Sequence, residues 1–163
     1  GYVPDFDATI VTRMLDAGAE IAGNWPPAWA AYISGALRKA GFDDIRFIDA
    51  MTTNLSDDQV RQILIDEKPD VVGSPAITPS IYKAERLLQL AKEIHPGALT
   101  ILGGIHATFM YQQVLTEAPF IDAIVRGEGE EIIVNLLRAL QGGDWLAARH
   151  GVKGIAFRED DKV

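Results

Sequence analysis

Residues 70–104 read DVVGSPAITPSIYKAERLLQLAKEIHPGALTILGG, and this stretch decides the fold. It opens on a short apolar run, DVVGSPA, that fits a buried strand. A helix follows: Ile81, Ala84, Leu87, Leu88, Ala91 and Ile94 fall on one stripe at helical spacing. After Pro96 and Gly97 a second apolar run, ALTILGG, reads as another strand. Two strands joined by a helical segment of about ten residues or more pair in parallel, through a right-handed crossover.

The alternation continues in both directions. Upstream, PAWAAYISGALRKAG places Trp29, Ile33, Ala36, Leu37 and Ala40 on one helical face, closed by Gly41. DIRFIDA reads as a strand, and SDDQVRQILIDEK as a helix capped by Ser56 with acids in its first turn. Downstream come a short helix (FMYQQVLTEA), a strand (DAIVRGEG), a helix ended by Gly142 (EEIIVNLLRALQGG), a helical turn (DWLAARH) and an edge strand (GIAFRED). The expected fold is therefore α/β, a doubly wound sandwich with about five parallel strands flanked by helices. DATIVTRMLDAG fits either a strand from Thr9 to Met14 or a helix between Asp7 and Gly18. Residues 1–150 are expected to form one domain, and the charged end REDDKV makes residues 151–163 the expected start of a linker.

Bulk properties narrow the function. A chain of 163 residues with 48% hydrophobic and 23% charged residues has the makings of one soluble core. A net charge of −8 argues against nucleic acid or an anionic membrane surface as the main partner. No apolar run approaches the ~20 residues of a spanning helix and no signal-peptide pattern opens the chain, so a cytoplasmic protein is expected. The absence of cysteine removes disulfides, thiol nucleophiles, zinc knuckles and thiolate-held clusters from this chain. His95, His106 and His150 are too widely spaced for a metal-ligand pattern, so no metal site and no catalytic constellation are expected among the chain's own residues.

In an open parallel sheet, ligands bind beyond the carboxyl ends of the strands. Four loops meet that condition: AGAEIAGNWPP, GSPAITPS (73–80), GGIHATF (103–109) and RGEGEE (126–131). All are rich in glycine or small hydroxyls, whereas the opposite-edge connections are ordinary turns. Gly103 and Gly104 remove side chains either for close approach of a ligand or for a tight strand-to-helix turn. Ser74 and Thr78 are candidate donors to a phosphate or amide, and Thr78-Pro79 fits a helix cap equally well. GEGEE lacks the lysine of a phosphate-binding loop, and its acids suit a helix N-terminus. His106 fits a hydrogen-bonding loop residue, and His95 suits a helix C-terminus.

Taken together, AEIAGNWPPAWAAYISGALRKAGF, FIDAMTTNLS, AITPSIYKAERLLQLAKE, LGGIHATFMYQQVLTEAPFID and VRGEGEE resemble the N-terminal cobalamin-binding domain of cobalamin-dependent radical SAM enzymes. Within that class the likeness is to the oxygen-independent oxidative cyclases of bacteriochlorophyll synthesis. The resemblance implies a flavodoxin-like, Rossmann-like sheet carrying cobalamin (vitamin B12) on its carboxyl edge. It implies that Ser74, Ala76, Ile77 and Thr78 line the corrin and tail, and that Gly103, Gly104 and Thr108 accommodate the nucleotide tail. His106 stands as a wall residue, and Gly127 and Glu128 flank the far side. The D-x-H-x-x-G motif that supplies an axial histidine in other cobalamin carriers is absent, which implies a base-off, His-off cofactor. The parent enzyme would be an oxidoreductase of porphyrin chemistry, with a radical SAM domain, a 4Fe-4S cluster and S-adenosylmethionine as its further partner and cofactors. Without cluster cysteines this chain is not expected to be catalytic alone. The alternatives are a non-catalytic signalling or interaction domain and a flavin- or nucleotide-binding α/β domain.

Overall fold

The computed structural model describes residues 26–50, 53–142 and 144–159. Helix α1 (Pro26–Lys39) ends on Arg38 and Lys39, which complement its dipole. Helix α2 (Asp57–Glu67) begins on a full capping box, with Ser56 accepting from the Gln59 amide and Gln59 from the Ser56 amide. Strand β1 (Val71–Pro75) leads through a 3-10 turn (Thr78–Ser80) into α3 (Ile81–Ile94). Then come β2 (Leu99–Gly103), α4 (Gly104–Glu117), β3 (Ala123–Val125), α5 (Gly129–Gln141), the short α6 (Trp145–Ala148) and β4 (Ile155–Phe157).

The strands form one sheet in the order β1-β2-β3-β4. The first three are parallel, with Val71 opposite Leu99 and Ile101 opposite Ala123, whereas β4 runs antiparallel to β3 with Ala156 opposite Ile124. Successive side chains alternate between two helical layers. Leu102, Ile124 and Ala156 face α3 and α4, packing with Ile81, Ala84, Leu88, Ala107, Val114 and Leu115. Leu99, Ile101 and Val125 face α1 and α5, packing with Leu37, Ile133 and Leu136. Helix α2 joins the first layer through Leu64, which meets Leu90 and Ala91 of α3. The doubly wound α/β expectation holds.

The strand count differs. Four strands lie among the described residues rather than five parallel ones, and the fourth is antiparallel. DIRFIDA, expected as a strand, has no ladder, although burial alternates along Ile45 to Asp49 as a strand's would. In the usual order of such sheets a strand at that point pairs with a strand preceding α1. That region, with the ambiguous DATIVTRMLDAG and the AGAEIAGNW part of the first loop, lies outside the described residues. At the other end, residues 151–159, expected to open a linker, carry β4, which hydrogen-bonds to β3.

The amino-terminal edge of the sheet is firmly tied. Thr100, fully buried, donates its hydroxyl to the Phe120 carbonyl at 2.6 Å, and its amide donates to the Asp122 carboxylate at 2.8 Å. Lys92 pairs with the same carboxylate at 2.7 Å and also donates to the Ala98 carbonyl at 2.7 Å. After β4, Arg158 donates to the carbonyls of Leu115, Ala118, Pro119 and Ile121, satisfying the C-terminus of α4 and the turn into β3.

Candidate functional site

The carboxyl ends of β1, β2 and β3 bring three of the four expected loops together. Contact between the first two is made by backbone. The Ala76 amide donates to the Gly103 carbonyl at 2.9 Å, and the His106 amide donates to the Ala76 carbonyl at 3.3 Å. Gly104 makes this possible: its φ is +90°, and a Cβ there would lie 2.5 Å from the Ala76 oxygen and 2.8 Å from its nitrogen. The missing side chain of Gly104 is thus accounted for by the protein's own main chain. The two flanking glycines differ. A Cβ on Gly103 would meet the Val125 oxygen at 3.9 Å, an ordinary contact, and one on Gly127 would enter open space.

Two side-chain hydroxyls complete the assembly. His106 Nδ1 lies 3.1 Å from Thr78 Oγ1, linking the β1 and β2 loops. Thr108 Oγ1 accepts from the Gly127 amide at 3.0 Å, linking the β2 and β3 loops. Thr78 is free for this because Ser80, not Thr78, caps the 3-10 turn, accepting from the Ile77 amide at 3.1 Å. Ala76 is buried, Ser74 and Ile77 are half-buried, and Thr78, Gly127 and Glu128 are exposed. Ser74 donates to its neighbour's carbonyl at 3.3 Å. Glu128 is the N-cap residue of α5 but makes no side-chain capping bond.

The segment expected as a loop at 103–109 is largely helical, because α4 begins at Gly104. His106, Ala107 and Thr108 therefore project from a first turn that ends at Met110, where the backbone leaves helical geometry (φ −102°, ψ 19°). This turn also carries apolar residues outward: Ile105 is 57% and Phe109 78% exposed. Neither was singled out in the sequence, where Ile105 falls in the expected loop and Phe109 at the start of the expected helix. Arg126 and Tyr111 were likewise missed; the guanidinium carbon sits 3.9 Å from the tyrosine ring centroid.

Electrostatically, Glu85 of α3 stands out. Its carboxyl is pushed above the ordinary range by burial and by the like charge of Glu117, against an opposing pull from His106. The other histidines are elsewhere. His95 Nε2 contacts the Leu64 carbonyl at 2.8 Å, and His150 packs edge-on against Phe157. Among the described residues no group of histidine and carboxylate side chains is arranged to hold a metal ion, and no helix is long and apolar enough to cross a membrane.

A family model described as a B12 binding domain matches residues 14–137. Among curated proteins, the anaerobic magnesium-protoporphyrin IX monomethyl ester cyclase of Rubrivivax gelatinosus is 60% identical over 88% of this chain and 26% of its own length. The protein of that name from Cereibacter sphaeroides is 56% identical over 90% of this chain and 24% of its own length. An uncharacterized methyltransferase of Pyrococcus horikoshii is 34% identical over 85% of this chain and 29% of its own length. The chain spans about a quarter of the length of these relatives.

Proposed function

Because the chain belongs to the B12 binding domain family, we propose that its carboxyl edge holds cobalamin as the cofactor-binding part of an anaerobic magnesium-protoporphyrin IX monomethyl ester cyclase. The observation that carries this reading is the three-loop edge itself. Thr78 to His106 and Thr108 to Gly127 lock the loops together, and open space remains beside Gly127.

The residues present fit such a group. A corrinoid offers a broad apolar ring rimmed by amides, and a nucleotide arm. Exposed Ile105 and Phe109 supply apolar surface beside the loops, and Ser74, Thr78 and Thr108 supply hydroxyls. In this reading Ser74, Ala76, Ile77 and Thr78 line the ring and the start of the arm. Gly103, Gly104 and Thr108 border the arm, with Gly104 acting indirectly by letting Ala76 close on the β2 loop. His106 is a wall residue, and Gly127 and Glu128 flank the far side. When bound, the cofactor supplies a cobalt centre for redox or group-transfer chemistry. The missing D-x-H-x-x-G motif, with His95 held at the Leu64 carbonyl and His150 against Phe157, supports the base-off, His-off reading.

The whole enzyme would add a radical SAM domain with a 4Fe-4S cluster and S-adenosylmethionine, since this chain has no cysteine to hold a cluster. Its reaction would oxidise a porphyrin propionate ester side chain to close the fifth ring, in bacteriochlorophyll synthesis. The decisive experiment is reconstitution of this chain with hydroxocobalamin followed by gel filtration and visible spectroscopy. Co-eluting corrinoid with a base-off spectrum unchanged by His106→Ala is expected. Loss of all colour on the column refutes cobalamin binding, and an imidazole-ligated spectrum abolished by His106→Ala refutes His-off binding alone.

A further inference from the structure

We propose that Arg126, held over the Tyr111 ring, is the residue that takes the phosphodiester of the cofactor's nucleotide arm. The proposal rests on the cobalamin reading above.

Arg126 directly follows β3, and its amide donates to the Gly154 carbonyl at 2.9 Å, which fixes its backbone against the start of β4. The guanidinium carbon lies 3.9 Å from the centroid of Tyr111, a half-buried ring packed on the core beneath α4. A cation–π contact of this kind holds a guanidinium over the ring without using up its N–H donors. Those donors have no acid to meet. Among the described residues, Arg46, Arg61, Arg86 and Arg149 each pair with a carboxylate, and Arg158 is spent on main-chain carbonyls. Arg38 and Arg138 have no acidic partner either, but each stands in the last turn of a helix, where the dipole accounts for a cation.

Arg126 has no such explanation. It stands three residues before α5 begins, at the positive end of that helix, where a cation is electrostatically misplaced. In a chain of net charge −8 with 23 acidic residues, an exposed guanidinium that rests on a ring and meets no carboxylate among the described residues is free to take an anion from outside the fold. Its neighbours suit one. Gly127 opens onto free space, and Thr108 stands one helical turn before Tyr111 and accepts from the Gly127 amide. The acetamide and propionamide arms of cobalamin are neutral, and the ionised group on its periphery is the phosphodiester joining the arm to the ribose. A guanidinium matches that group in both charge and planar donor geometry.

The test compares cobalamin with cobinamide, which has the corrin and its amides but no phosphate, ribose or base. The 163-residue chain is titrated with aquo forms of each, following tryptophan fluorescence quenching. The wild type is expected to bind cobalamin more tightly. Arg126→Gln should weaken cobalamin binding by about 10- to 100-fold, the range of a lost charge-assisted hydrogen-bonded pair, and leave cobinamide binding unchanged. Arg126→Lys should fall between, keeping charge without the fork, and Tyr111→Leu should reproduce part of the loss by removing the platform. Thermal melts check folding, and if the glutamine variant is unfolded the lysine variant decides the matter. Equal loss for both corrinoids, or unchanged cobalamin binding, overturns the assignment of Arg126 while leaving the site intact. A wild type that retains neither corrinoid overturns the cobalamin reading as well.

Discussion

Replacing Gly104 with alanine tests whether the glycine pair works by the contact described here. The substitution carries two costs. Holding a residue with a Cβ at φ +90° costs about 1–2 kcal/mol, the penalty for left-handed backbone. The Cβ would also sit 2.5 Å from the Ala76 oxygen and 2.8 Å from its nitrogen, so one main chain must move away. That movement endangers the two bonds from the Ala76 amide to Gly103 and from the His106 amide to Ala76, each worth about 0.5–1.5 kcal/mol. The sum is a loss of about 2–5 kcal/mol, or roughly 5–15 °C in Tm for a domain of this size. Gly103→Ala is the control, because its φ of −132° suits any residue and its Cβ meets only ordinary contact at 3.9 Å. Urea and thermal unfolding of both variants against wild type provide the measurement. If Gly104→Ala and Gly103→Ala unfold within about 0.5 kcal/mol of each other, the reasoning about Ala76 is refuted.

Three further outcomes follow from the packing. Arg158→Met should destabilise the chain by about 2–4 kcal/mol by stripping donors from four carbonyls at the end of α4, and Arg158→Lys should recover less than half, as read from urea midpoints. Asp122→Ala should cost about 2–4 kcal/mol, since it leaves Lys92 and the Thr100 amide without their shared acceptor; a Lys92→Met, Asp122→Ala double cycle measures their coupling. Glu85→Gln concerns pH. A carboxyl whose pKa is raised on folding binds more protons in the native than in the unfolded state, so stability falls as pH rises through that window. The glutamine variant should therefore be more stable than wild type at neutral pH, with the advantage vanishing below the ordinary glutamate pKa; a gap independent of pH would show the carboxyl to be unperturbed.

The parallel core was legible because its strands are uninterrupted apolar runs and its helices carry clean stripes, so the sequence around β1, α3 and β2 admits one reading. DIRFIDA shows the limit of that method. It alternates as a strand does, yet alternation records half-burial and a ladder needs a partner, which no described residue provides. The gathering of glycines and hydroxyls at one sheet edge was legible too. How those residues meet was not. Gly104 is required by Ala76, far away in sequence, and no local pattern announces a backbone-to-backbone contact. Thr78 fits a cap in sequence, but Ser80 takes that role and leaves it to His106. The Arg126 and Tyr111 stack joins a loop charge to a helix residue, each unremarkable alone. Arg158 lies where the expected edge strand GIAFRED runs into a charged stretch that resembles a linker, and its carbonyl partners tie it to the fold.

The uneven fastening of the two sheet edges has a dynamic consequence. At the base, the Lys92, Thr100 and Asp122 cluster and the four-carbonyl grip of Arg158 hold the strand entrances. At the rim, the loops are joined by single bonds from Thr78 and Thr108 and by the Ala76 contact. Local opening should therefore begin at the rim and leave the base intact, so amide exchange at Gly127 and His106 should outpace that at Thr100 and Asp122 by orders of magnitude. Such a gradient lets the loops part around a bulky ligand without unfolding the sheet, and a ligand that bridges them would slow exchange chiefly at the rim.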